Sequence, residues 1–110
     1  MKSLLTFAAK HALIEAIEKQ DGLTANVFFD GLFPCAMGAL GMRSWSWGIG
    51  NDELTRLISL GLATSNYRQY TEAGELIVIT NNDFIGTPQK RKEYMLKWLH
   101  EQEVEVEIVH

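Results

Sequence analysis

Cys35 is the only cysteine in the chain and its most nucleophilic side chain. It opens the run Cys35-Ala36-Met37-Gly38-Ala39-Leu40-Gly41-Met42, directly after Phe33-Pro34. Pro34 suits the first turn of a helix, which places Cys35 just inside a helix N-terminus, where the dipole lowers a thiol pKa. A cysteine nucleophile also needs a base within reach and a group to orient that base. His11 or His100 can act as the base and Asp30 or Asp83 as the orienter, so the catalytic set on offer is Cys35, His11 and Asp83. No catalytic signature surrounds the cysteine. The plainer reading makes Cys35 a small buried hydrophobe.

Other chemistries find less to work with. There is no C-x-x-C, H-E-x-x-H or calcium-loop pattern, so no metal is expected. The glycines from Gly38 to Gly50 form neither G-x-G-x-x-G after a strand nor G-K-[ST], and no nucleotide or other cofactor is implied. Asn81-Asn82-Asp83 has two readings. Such side chains can end a helix and bond the following turn at Gly86-Thr87, or they can form a polar site facing Cys35.

Recognition has two candidate patches. Trp45 and Trp47 sit in Ser44 to Gly50, an ordered loop rather than a linker, since two indoles suit a solvated tether poorly. With Arg43 and Tyr67 they make the candidate partner-binding set, one indole structural and the other an anchor. Lys90, Arg91 and Lys92 oppose the dipole at a helix start, which makes them candidates for holding an anion, against the plain alternative of a solvated face.

The elements that must carry these residues are mostly helical. Ser3 to Gln20 repeats Leu4, Leu5, Ala8, Ala12, Leu13, Ala16 and Ile17 at helical spacing, with Ser3 as cap and Gly22 offering a positive φ beyond Asp21. His11 falls at the edge of the apolar band. Val27, Phe28 and Phe29 form a short strand or a helical turn, buried in either case. Asn51 or Asp52 caps the next helix, and Gly61 stops it with Leu62 closing over the end. Thr71 to Asn82 is ambiguous: Leu76 to Thr80 has strand propensity, but Ala73, Leu76, Ile77, Thr80 and Phe84 share a helical face, and helix is favoured. Thr87 caps a final helix with Pro88 at its first position. Val104, Val106 and Ile108 then alternate with glutamates, as in a strand able to pair with an edge at Val27 to Phe29 or with a second copy, the alternative being an ordered or disordered appendage.

The 110 residues make one domain, a helical body over 1–103 followed by an acidic, β-branched tail over 104–110. The predicted class is all-α, a bundle of four to five helices with a short strand or extended tail as the only other element. A net charge of -4 disfavours nucleic acid, and removing the four glutamates of the last ten residues leaves ten acids against ten bases. One cysteine permits no internal disulfide. Lys10, His11, Glu15 and Glu18 interrupt the N-terminal apolar run before it resembles a signal peptide, and no stretch reaches the roughly 20 apolar residues of a membrane span. The default location is cytoplasmic.

Cys-Ala-x-Gly-Ala-Leu at Cys35 to Leu40, Asn82-Asp83, and Gly86-Thr87-Pro88 before a Trp/Leu helix together resemble a group of small uncharacterised helical proteins. These occur in phages and bacteria as a domain of unknown function. The resemblance spans Phe33 to Leu99 and implies an all-α fold without a biochemical role. Two functions are therefore expected: a non-enzymatic protein-interaction or accessory protein, phage or mobile-element encoded, with a protein partner; or a cysteine-dependent enzyme or small-ligand-binding protein centred on Cys35. The first is favoured, so the chain is more readily a binder than an enzyme.

Overall fold

The computed structural model describes residues 5–41, 52–64 and 69–103. They form α1 (Phe7–Glu18), α2 (Ala36–Ala39), α3 (Asp52–Ser59), α4 (Glu72–Asp83) and α5 (Pro88–Glu101). The fold is all-α. Among the described residues, extended pairing is confined to two isolated antiparallel bridges, Phe29 with Pro34 and Ala63 with Tyr70. No helix among them is long and apolar enough to cross a membrane.

Local signals fix the helix starts. Thr6, Cys35, Thr71 and Thr87 each stand at an N-cap with extended backbone, and each side chain accepts the amide three residues on. Pro88 follows Thr87 at the first turn of α5, as its missing N–H allows. The run Leu76 to Thr80 lies inside α4, with Ile77 fully buried, Thr80 buried and Ile79 facing out. Its β propensity loses to the Thr71 cap and to the burial of one helical face.

The helix ends are held from a distance. Lys10 Nζ donates to Gln102 O at the C-cap of α5, at 2.7 Å. Lys92 Nζ returns the contact at the other end of the same pair, donating to Glu18 O of α1 at 3.3 Å. Arg56 reaches Leu40 O beyond α2 at 3.3 Å, and Arg91 reaches Phe84 O at the end of α4 at 2.7 Å. Cations therefore meet the negative dipole ends of α1, α2, α4 and α5. The end of α3 uses glycine instead. Gly61 takes φ +76, its N–H bonds Ile58 O, and Leu62 N bonds Leu57 O, the paired bonds of a Schellman motif.

One structural device is built twice. Before α2, Cys35 N donates to Phe28 O at 3.0 Å, beside the Phe29–Pro34 bridge. Before α4, Thr71 N donates to Leu62 O at 3.0 Å, beside the Ala63–Tyr70 bridge. Each N-cap side chain then takes the amide of a glycine three residues later, Gly38 or Gly74. A Cβ at Gly38 would strike Phe28 O, and one at Gly74 would strike Leu62 O. Both glycines are thus required by close backbone approach.

These connections position a core in which Leu13, Ile17, Leu23, Met37, Leu57, Leu62, Ile77, Met95 and Leu99 are fully buried. Each such side chain contributes roughly 1.5–3 kcal/mol by leaving water. α1 packs on α5 and α2, α2 on α4, and α4 on α5.

Several sequence expectations change here. α1 is capped by Thr6, while Ser3 lies outside the described residues. Gly22 does not take a positive φ: α1 ends at Lys19, and Gly22 instead lets Pro88 approach, whose Cβ would lie 2.7 Å from an added Cβ. Val27 and Phe29 are not buried, remaining 50% and 44% exposed. That segment is anchored through its backbone, by Phe28 O and Asp30 N, and through the Phe28 side chain packed against the core between them. Cys35 is the cap of α2 and not its first turn, because Pro34 is held outside by the bridge to Phe29 and by its carbonyl, which accepts Thr24 N at 2.8 Å. The 104–110 tail lies outside the described residues.

Candidate functional site

The doubled device brings Cys35 and Tyr70 to the lining of one cleft. Cys35, Ala36 and Met37 come from the cap and first turn of α2, Tyr70 from the bridge before α4, and Val78, Asn81 and Asn82 from α4 itself. Asn26, Val27 and Phe28 close it from the loop after α1. The cavity measures about 240 Å³. Its walls are mainly apolar, and none of the described side chains lining it is Asp, Glu, Lys, Arg or His.

Asn81 holds the cleft together. It is only 1% exposed, and its Oδ1 accepts Ala36 N at 3.1 Å. Its Nδ2 donates to Thr24 O at 2.8 Å and to Asn82 Oδ1 at 3.2 Å. Asn82 Oδ1 in turn accepts Asn26 N at 2.9 Å. Asn26 has φ +69, a left-handed conformation that asparagine tolerates better than most side chains. The asparagines thus bond backward, to the 24–26 loop and to α2. The turn at Gly86-Thr87, which the sequence suggested as their partner, is not used.

Burial pushes the Tyr70 hydroxyl well above its ordinary value of 10.0, and the neighbouring Cys35 adds to the shift. The cause is desolvation of the charged form. Above about pH 10 the unfolded chain loses this proton while the folded chain keeps it, so stability falls with rising pH. Alkaline melting curves check the effect: Tyr70→Phe is expected to flatten the decline, and an unchanged slope would mean that Tyr70 does not cause it.

The candidate catalytic residues do not converge. His11 lies on the outer face of α1, its ring stacked on Phe7 with centroids 6.1 Å apart and its Nε2 3.7 Å from Glu15. It is exposed rather than at the edge of the core. Asp83 is exposed at the end of α4, and His100 is exposed in the last turn of α5. Asp30 is also exposed, its Oδ1 accepting the amides of Leu32 and Phe33 at 2.8 and 2.7 Å, which hold its carboxyl below the usual value. None of these four lines the cleft. The Cys35 Sγ accepts Gly38 N at 3.3 Å and serves the turn.

The basic run divides by role. Lys90 is exposed, Lys92 holds the α1 end, and Arg91 is buried, with Nη1 on Leu23 O at 3.0 Å and Nη2 on Phe84 O. Arg91 Nε is buried and has no hydrogen-bond partner among the described residues. Two of the three expected anion ligands thus hold backbone carbonyls. Arg91→Lys is expected to lower the melting temperature, because one ammonium cannot span both carbonyls as the guanidinium fork does. An unchanged melting temperature would show that a single contact suffices.

Trp45, Trp47, Arg43 and Tyr67 lie outside the described residues. Among the described residues, no group of three or more His, Cys, Asp and Glu side chains is placed to hold a metal ion. Reasoning from sequence missed Tyr70 and the bridging role of Asn81. The available signal was the spacing shared by Cys35-x-x-Gly38-x-Leu40 and Thr71-x-x-Gly74-x-Leu76. Comparison with protein-family models, curated proteins and solved structures finds no match for this chain.

Proposed function

We propose that this chain is a non-catalytic binding protein whose receptor site is the cleft at Cys35. The observation that carries the reading is the cleft itself, a largely apolar cavity with a few fixed polar groups and a perturbed tyrosine, the usual make-up of a small-ligand site. The Cys35 Sγ bonded to Gly38 N, with His11, His100, Asp30 and Asp83 all on the surface, favours binding over the cysteine-nucleophile alternative. The test is a titration of isotope-labelled protein with acetophenone, a compact neutral probe. Amide shifts should concentrate on Phe28, Ala36, Met37 and Val78, and Val78→Trp should abolish them by filling the space. Absent or scattered shifts would refute the reading.

A protein-partner surface is the second reading, and a different feature favours it. Val27, Phe29 and Leu32 are exposed on a loop that Asp30 pins through two backbone amides, with Leu32 at 81% exposure. A fixed loop presenting apolar side chains suits an interface anchor. Phe29→Ser with Leu32→Ser should leave the melting temperature unchanged and remove a partner captured by the parent protein. Equal recovery of that partner would count against this surface. Trp45, Trp47, Arg43 and Tyr67 remain part of this reading, as does self-association through the tail.

A further inference from the structure

The bonding of Asn82 narrows the kind of ligand the cleft would take. Its Oδ1 accepts from a backbone amide, Asn26 N, and from Asn81 Nδ2. Asn81 is itself oriented without ambiguity, because Ala36 N can only donate to it and Thr24 O can only accept from it. Both amide groups are therefore fixed by their partners. That leaves Asn82 Nδ2 as a donor with no partner among the described residues, on a side chain that lines the cleft.

The remaining lining sets the ligand's other properties. Val27, Phe28, Met37 and Val78 offer apolar contact, and among the described lining residues no carboxylate, ammonium, guanidinium or imidazole stands ready to neutralise a charged ligand. A charge brought into such walls would lose its water without compensation. A hydrogen-bond acceptor brought to Asn82 would gain a partner.

Building on the receptor reading above, we propose that the cleft takes an uncharged ligand with an apolar body and a carbonyl-type acceptor, and that Asn82 Nδ2 donates to that acceptor. Selectivity then comes from one hydrogen bond. A ligand of the same shape without the acceptor forgoes that hydrogen bond, which weakens binding by about tenfold.

Three probes of similar shape test this: acetophenone, α-methylstyrene, in which a methylene replaces the carbonyl oxygen, and benzoate. Each is titrated into the full chain while the amides of Ala36, Met37 and Val78 are followed. Acetophenone is expected to bind about tenfold more tightly than either of the others. In Asn82→Asp, an oxygen acceptor is kept for Asn26 N and Asn81 Nδ2 while a carboxylate oxygen replaces the Nδ2 donor, so acetophenone should lose its advantage over α-methylstyrene. Equal affinity of acetophenone and α-methylstyrene for the parent protein would overturn the Asn82 assignment and leave the receptor reading standing. Tighter binding of benzoate would overturn the uncharged class. If no probe shifts the cleft amides, both the assignment and the receptor reading fall. Should Asn82→Asp fail to fold, the comparison of probes on the parent protein decides the matter.

Discussion

Gly38→Ala is expected to destabilise the protein by about 3 kcal/mol, at the upper end of overpacking costs. Two effects of opposite sign compete at this position. Alanine exceeds glycine in helix propensity by about 1 kcal/mol, so a helix-only argument predicts a gain. The new Cβ, however, would strike Phe28 O, the carbonyl that accepts Cys35 N. A carbonyl in a bonded turn cannot rotate aside as a flexible side chain can. The clash therefore moves the loop or breaks the bond, and sterics wins. Gly74→Ala should behave alike, because its Cβ would strike Leu62 O, the acceptor of Thr71 N. Each variant should melt more than about 10 °C below the parent. A melting temperature at or above the parent's in either variant would show that its loop yields and that the close approach is not required.

The features legible in the sequence were those whose cause is local. The Thr87-Pro88 start and the Gly61-Leu62 stop each have a mechanism contained within a few residues, and each stands in the structure. The helical state of Leu76 to Thr80 was decided by the Thr71 cap and the face occupied by Ala73, Ile77 and Thr80. Burial was harder to foresee where the backbone does the anchoring. Val27 and Phe29 have core-like side chains, but Phe28 O and Asp30 N tie their segment down and leave those side chains outward.

The candidate site was only half legible, for a related reason. Cys35 stood out by type, and a polar site facing it from Asn81-Asn82-Asp83 was one of the two readings. Its companions were chosen by titration chemistry, which selected His11 and Asp83. Tertiary packing selected Tyr70, Asn81 and Asn82 instead. The basic run misled in the same way. Composition shows Lys90, Arg91 and Lys92 as adjacent charges, whereas α5 turns Arg91 inward to two carbonyls and directs Lys92 to the end of α1. Helix-end carbonyls satisfied by distant cations leave no mark in a local window.

Asn81→Leu is expected to cost about 3 kcal/mol or more, a large share of the stability of an ordinary domain. Leucine keeps the branched shape but is bulkier, so overpacking adds to the loss of hydrogen bonds at this buried position. It strands Ala36 N and Thr24 O without the bonds that Asn81 supplied, and it removes the second donor to Asn82 Oδ1. Asn81→Asp separates bonding from shape. One carboxylate oxygen still accepts Ala36 N, but the other then faces the Thr24 and Asn82 oxygens where an N–H₂ group stood. Burial and these oxygens disfavour the charged form, which raises the folded-state pKa above the unfolded value of about 3.9. Stability is then lost as pH rises through the raised pKa and regained on acidification, when the protonated carboxyl can donate to Thr24 O. Denaturant midpoints at about pH 5 and pH 7 decide the matter. The aspartate variant should be closer to the parent at the lower pH, and the leucine variant should show no such recovery. Equal deficits at both pH values for Asn81→Asp would mean that water enters the site, and that Asn81 does not join α4, α2 and the 24–26 loop through a dry bond network.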